Sequence, residues 1–321
     1  MSPAPSQTLE GLPGAAIPPP APGRATAQHR LGTGRFTPLW FLAPAVLALL
    51  LIGIYPTVFA LVTSFRRYNI TRARDGFPFV GLENYQQVLS DRTFWETLGR
   101  TAAFFLSVMP IQILLGIVIA LLLHRPGLGL LRSVARVSLV VPLATTYAVV
   151  GLIGRLVFNQ DFGVANQFLS WVGIPAVDWL GNPQRAFIAV CIMDIWQWTP
   201  FCALIFLAGL SMVPVDVEES AQLETRSRLA LLRHIQLPYL LPGFTAVLIL
   251  RSADVLKLFD MVFVMTRGGP GAATEFVSVY IQRLGFRVFD IGKASAEAMM
   301  LLVLTILLSR LYIRVFYREV E

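Results

Sequence analysis

Charge is what this sequence has least of. Only 14% of its 321 residues are charged, where a soluble globular chain carries nearly a quarter, so too few charges remain to cover a water-facing shell. Lysine is almost missing: two of the 26 basic residues, Lys257 and Lys293, are Lys, and the rest are Arg. Cysteine stops at Cys191 and Cys202, both within one apolar run, and histidine at His29, His124 and His234, which share no spacing. That excludes a disulfide framework, a metal site of ordinary ligand spacing and a catalytic base beside a nucleophile. What is abundant is apolar: 55% of residues are hydrophobic and mean hydropathy is +0.66. One integral membrane unit follows. The net charge of +7 does not redirect this towards nucleic acid, because no basic stretch is dense enough to track phosphates and Arg beside membrane spans explains the excess.

Residues 1–37 hold seven prolines, including Pro18, Pro19 and Pro20 in a row, and no apolar period; they are expected to form a disordered tail ahead of a membrane domain over 38–321. The first apolar run is too long for the h-region of a signal peptide and no small-residue cleavage site follows it. Windows of about 20 apolar residues span the hydrocarbon layer as helix. Six stand out: 39–65, 98–123, 134–158, 186–210, 240–265 and 294–316. The runs are continuous, not alternating, which selects helices over a barrel. The expected fold is an all-α integral membrane protein with six transmembrane helices and both termini on one face. Basic residues divide almost evenly between the two faces, so charge bias alone leaves the orientation open. The contrast between the basic loop after helix two (Arg125, Arg132) and the third loop, 159–184, which has no Lys or Arg at all, favours an N-terminus inside.

The fourth loop, about 213–239, reads as a helical hairpin at the membrane surface. Asp216 and Glu219 have the spacing of a capping box, which predicts a helix starting near Val217, and Leu223, Leu229, Leu232 and Ile235 continue an apolar stripe. By pattern alone this is equally an amphipathic interfacial loop without a partner.

The same segment carries a resemblance. Glu219-Ser220-Ala221, then Glu224, then Ile235-Gln236-Leu237-Pro238 is similar to the EAA loop of the permease subunits of bacterial binding-protein-dependent ABC importers. Thr225 departs from the family, which usually has Gly there; Gly permits a positive-φ turn, so Thr implies a different turn or a backbone that never needed one. Phe79-Val80-Gly81-Leu82-Glu83-Asn84-Tyr85, Asn159-Gln160-Asp161-Phe162-Gly163, and the stretch from Arg251 to Asp260 with Thr266-Arg267-Gly268-Gly269-Pro270-Gly271 resemble further segments of the carbohydrate-uptake, maltose-type branch in the right order. The resemblance implies a non-enzymatic transport subunit in a bacterial inner membrane, with both termini cytoplasmic. It implies a second homologous permease, two ATPase subunits that carry ATP and Mg, an extracytoplasmic solute-binding protein, and no cofactor on this chain. It also implies that Glu218, Glu219, Ser220, Ala221, Glu224, Thr225, Leu237 and Pro238 couple to the ATPase. The chain has no G-x-x-x-x-G-K-[ST] phosphate loop of its own, and Gly268-Gly269-Pro270-Gly271 reads as a turn.

Charges inside apolar windows complete the candidates. Arg251, Asp254 and Lys257 recur every three residues on one helical face and are expected to pair along the helix. An unpaired charge at mid-bilayer costs at least about 2.5 kcal/mol, so this face should meet protein or water, as path lining or as a structural or gating network. Asp194 is followed closely by Trp196, Gln197 and Trp198 and by the Thr199-Pro200 step. A carboxylate beside aromatic faces suits a polyhydroxylated ligand, while Trp in spans also serves as packing or interface anchor and Pro as a kink. The functional expectation is half of a translocation pathway for a sugar or related solute. The rival is an ion-coupled secondary transporter, which would show an inverted repeat; no clear repeat is visible.

Overall fold

The computed structural model describes residues 37–316, apart from 126, 128 and 226. Most of the expected tail lies outside the described residues. They fall into two units, one up to Tyr55 and one from Pro56 onward. In the first lie α1 (Thr37–Ala48) and a π-helical stretch, Leu49–Ile54; α2 (Tyr55–Ser64) follows. The second continues with α3 (Glu83–Leu89), α4 (Arg92–His124), α5 (Gly129–Ala144), α6 (Tyr147–Val157), α7 (Val164–Trp171) and α8 (Pro183–Leu210). After these come α9 (Val215–Glu224), α10 (Arg228–Leu231), α11 (Leu237–Leu256), α12 (Asp260–Met265), α13 (Val277–Phe286) and α14 (Ile291–Phe316). No strand forms among the described residues beyond two isolated bridges, Arg66 with Phe79 and Asn69 with Asp290. The all-α expectation therefore holds.

Among the described residues, five helical stretches are long and apolar enough to cross a bilayer: Leu42–Ser64, Arg92–His124, Pro183–Leu210, Leu229–Leu256 and Ile291–Val315. The pair Arg132–Ala144 and Tyr147–Val157 makes a sixth if the two count as one span. Here the sequence reading needs correction, because the window 134–158 is not straight but bent by 98°. Pro142 lacks the N–H that would extend the ladder, and Thr146 takes an extended backbone as N-cap of α6. The Thr145 carbonyl exposed by the break accepts Nε2 of Gln197 from α8 at 3.0 Å, which satisfies a backbone group that would otherwise be stranded.

The fifth window is also displaced. Its helix begins at Leu229 and stops at Leu256, and the chain turns before α12 instead of running on to Met265. α12 packs on α6, where Gly151 admits the backbone so closely that a Cβ there would lie 2.6 Å from the Met261 carbonyl oxygen. A straight continuation would forfeit that contact.

Caps fix where the long helices start. Asp91 accepts the Thr93 amide at 2.8 Å ahead of α4, and Asn182 accepts the amides of Gln184 and Arg185 ahead of α8, with Pro183 in the first turn. α8 is the central helix: 61% of its most apolar window is buried, against none in Leu42–Ser64 or Ile291–Val315. It packs along α4 through Gly116, where an added Cβ would fall 2.7 Å from the Cβ of Cys202. Cys202 and Cys191 are free, buried thiols packed with Phe206 and Leu210 in one cluster and with Val190 and Met261 in another.

Candidate functional site

The charges expected to pair along one helix divide between two places. Arg251 of α11 reaches across to α8, where its Nη2 meets Asp194 Oδ2 at 2.6 Å with both side chains 1% exposed. Gln112 of α4 closes the triangle: its Nε2 donates to Asp194 Oδ2 at 2.7 Å and to the Asp194 carbonyl at 3.1 Å, and its Oε1 accepts from Arg251 Nε at 3.2 Å. Three helices are thus held by one neutral charge pair. The guanidinium also lies over the Trp198 ring, 4.6 Å from its centroid, a favourable stack for a desolvated cation. Trp198 in turn packs against Tyr147 at the start of α6. Around the pair, Asp194 Oδ1, Tyr147 Oη, Trp198 Nε1 and Thr199 Oγ1 are buried without a protein hydrogen bond. The cluster therefore holds acceptors, donors and aromatic faces that water or a hydroxylated ligand would satisfy.

The expected Arg251–Asp254 pairing is absent, because Asp194 on the neighbouring helix takes the guanidinium. The expected Asp254–Lys257 pair does form, at 3.0 Å, with Lys257 largely exposed at the C-cap of α11. Trp196 is 40% exposed and stands away from the buried pair, in keeping with an anchoring role.

The loop after α8 does fold as a hairpin, though its cap differs from the expected one. Pro214 is the N-cap of α9, without any side-chain cap bond, and its carbonyl accepts the amides of Val217 and Glu218. With φ fixed near −61° and ψ at 135°, Pro214 starts the helix at Val215, so Asp216 sits inside the first turn beside Glu218, where acid favours the helix dipole. Thr225 has φ −138° and ψ 133°; no positive φ is required, and its hydroxyl instead accepts the Ser227 amide at 3.1 Å.

Within α9 the two adjacent acids do different things. Glu218 turns inward: Gln236 Nε2 donates to it at 3.1 Å and His124 Nε2, at the end of α4, lies 3.4 Å from it. Glu219, Ser220 and Glu224 are exposed and Ala221 is half-buried. A shallow groove of about 350 Å³ between the hairpin arms is lined by Asp216, Val217, Ser220, Ala221, Glu224 and Ile235. Leu223 and Leu229 of the expected apolar stripe face outward, 91% and 73% exposed. Leu237 and Pro238 are exposed where the second arm enters the long helix. The π-helical stretch Leu232–Gln236 precedes them, absorbing the amide that Pro238 lacks.

A second, part-buried cluster has no counterpart in the sequence reading. At the corner between α3 and α4, Asp91 Oδ2 accepts Tyr280 Oη at 2.6 Å and Lys293 Nζ at 2.5 Å. Burial pushes the Asp91 carboxyl up, but the hydrogen bonds from Lys293, Tyr280 and the Thr93 amide, with the Lys293 charge, outweigh it and bring the value to about 2. The same burial and bond push the Tyr280 phenol up. Glu297 lies one turn further along α14, fully buried, and neither of its carboxylate oxygens has a hydrogen-bond partner. The signal for it is present in the sequence: an acid inside an apolar window.

Known proteins place this arrangement. The family model described as "Binding-protein-dependent transport system inner membrane component" matches residues 97–318. The chain is 33% identical over 283 residues to the sulfoquinovosyl glycerol transport system permease protein SmoG of Agrobacterium fabrum, covering 88% of this chain and 90% of that one. It is 36% identical over 241 residues to the trehalose/maltose transport system permease protein MalF of Thermococcus litoralis, covering 74% and 80%. In fold it matches a chain from the crystal structure of a bacterial ABC transporter involved in the import of alginate, with TM-score 0.76, 19% identity, and 89% and 97% of the two chains covered.

Proposed function

The chain belongs to the family of binding-protein-dependent transport system inner membrane components, and from that premise we propose that it is the permease subunit of an ATP-driven importer for a sugar or related polyhydroxylated solute. It supplies half of the translocation pathway, paired in the bilayer with a second, homologous permease. The bent pair counts as one of six spans, and both termini face the cytoplasm. An extracytoplasmic binding protein delivers the solute, and two ATPase subunits hold ATP and Mg. The relatives named for sulfoquinovosyl glycerol and for trehalose/maltose transport support the solute class.

The observation that carries the coupling is a continuous one. The second arm of the hairpin and the helix bearing Arg251 are a single stretch, Leu229–Leu256, so a push on the hairpin moves the residue that clamps Asp194. Glu219, Ser220, Ala221 and Glu224 present the surface for an ATPase subunit, Thr225 sets the turn, and Leu237 and Pro238 begin the transmitting helix. Glu218 faces inward and links the coupling helix to the end of α4. Arg251, Asp194, Trp198 and Gln112 form a gate beside the pathway; Asp254 and Lys257 form a second pair near its end, and Trp196 anchors α8 at its outer surface.

The test is uptake by the assembled importer in vesicles. Uptake that follows ATP hydrolysis and stops when the ATPase phosphate-loop lysine is replaced is the expected result. Uptake driven by an ion gradient with the ATPase subunits absent would overturn the reading in favour of a secondary transporter.

A further inference from the structure

Glu297 is the most anomalous side chain among the described residues. Its residue is 0% exposed, and Oε1 and Oε2 are both unpartnered, on the helix α14 that also carries Ala294, Ala296 and Leu301 of a buried apolar cluster. A carboxyl group withdrawn from water with neither oxygen bonded costs several kcal/mol relative to a paired one. Yet a cation is within reach. Lys293 precedes Glu297 by four residues on α14, the spacing at which side chains of one helix are neighbours, and the charged groups surrounding Glu297 are Lys293, Asp91, Asp290 and Arg283.

Each of the nearby cations is engaged elsewhere. Arg283 is 2.8 Å from Glu275, and Lys293 is 2.5 Å from Asp91. Asp91 is richly served, since Tyr280 and the Thr93 amide also donate to it. It would keep two donors if Lys293 left. Two acids therefore flank one ammonium, one of them saturated and the other empty, and a change of side-chain rotamer on α14 carries the ammonium between them without any step in the backbone. Only one of the two positions ties helices together: Asp91 belongs to the α3–α4 corner, whereas Glu297 is on the same helix as Lys293.

The geometry points to a two-position ion-pair latch, in which Lys293 binds Asp91 to lock α14 to the α3–α4 corner and moves to Glu297 to release it during the transport cycle. This rests on the transport reading above. Glu297 is thereby a positioning residue: it touches no solute and acts by giving Lys293 a second seat, so that unlocking does not leave a half-buried ammonium unpaired.

The test uses the assembled importer with its ATPase subunits and binding protein, carrying spin labels at the exposed Leu89 and Leu302. In the parent protein the distance between labels is expected to show two populations, whose ratio changes between the nucleotide-free and the vanadate-trapped state. Glu297→Gln, close in volume but uncharged, should shift the ratio towards the locked population by about tenfold and slow solute-stimulated turnover. Asp91→Asn should shift it the other way, and Glu297→Asp should restore part of the exchange. A single unchanged distance in the parent protein, or a Glu297→Gln protein with parental populations, overturns the latch, and the parent measurement stands even if a variant fails to assemble. Absence of ATP-driven uptake by the parent importer would instead refute the transport reading, so the two failures are distinguishable.

Discussion

Arg251 and Asp194, 57 residues apart in sequence, meet at 2.6 Å between α11 and α8, and Gln112 bonds to both. A pair this dry is a poor source of stability but a strong constraint, since removing either member leaves a buried charge alone. Arg251→Met or Asp194→Asn is expected to cost about 3–5 kcal/mol, read as a lower thermal midpoint of the solubilised protein. The double variant Arg251→Met with Asp194→Leu should recover most of that stability while transport stays lost. Recovery of both would assign the pair a purely architectural role.

Glu218 and Glu219 are neighbours with separable effects. Glu219→Arg should leave the protein inserted and its thermal midpoint unchanged while abolishing solute uptake through lost ATPase docking. Glu218→Ala removes the contacts with Gln236 and His124 and should lower the midpoint by about 1 kcal/mol equivalent. Comparing membrane insertion, melting and ATP-driven uptake for the two variants decides it; identical profiles would refute the division of labour.

The Asp91 cluster gives a pH signature. Its carboxyl titrates near 2 in the folded chain, below the ordinary 3.8, so its contribution is fully present above about pH 4 and is lost as the pH falls through 2. The shift corresponds to about 2 kcal/mol. Unfolding followed from pH 5 to pH 2 should show this loss in the parent protein and a flatter profile in Asp91→Asn.

Gly116 sets the spacing of α4 and α8. Gly116→Ala places a methyl 2.7 Å from the Cys202 Cβ and should destabilise by about 1–3 kcal/mol. Combining it with Cys202→Gly should restore part of the loss, measured by the yield of monodisperse protein and its melting.

The sequence carried the helical class and the rough position of each apolar segment because a membrane span must be long, continuous and apolar. It also carried the hairpin, since its charged, turn-rich composition breaks that pattern. Partners in space were not legible. The period of three in Arg251, Asp254 and Lys257 suggested pairing along one helix, and only packing reveals that Asp194 lies opposite Arg251. Gln112 is one amide in an apolar run, with no local signal that it bonds 82 residues away. The bend after Pro142 was equally hidden, because prolines also occur inside unbroken α4, α8 and α11. Whether a proline breaks a span depends on a neighbour such as Gln197 to take up the freed carbonyl.

The unbroken helix from Leu229 to Leu256 has one more consequence, a rotational one. Each residue of an α-helix advances the azimuth by about 100°, so inserting or deleting a single residue between the hairpin and Arg251 would swing the docking surface around the helix axis while the ion pair stayed in place. The π-helical stretch Leu232–Gln236 already spends one such adjustment. This segment should therefore tolerate exchanges of side chain far better than any change in length.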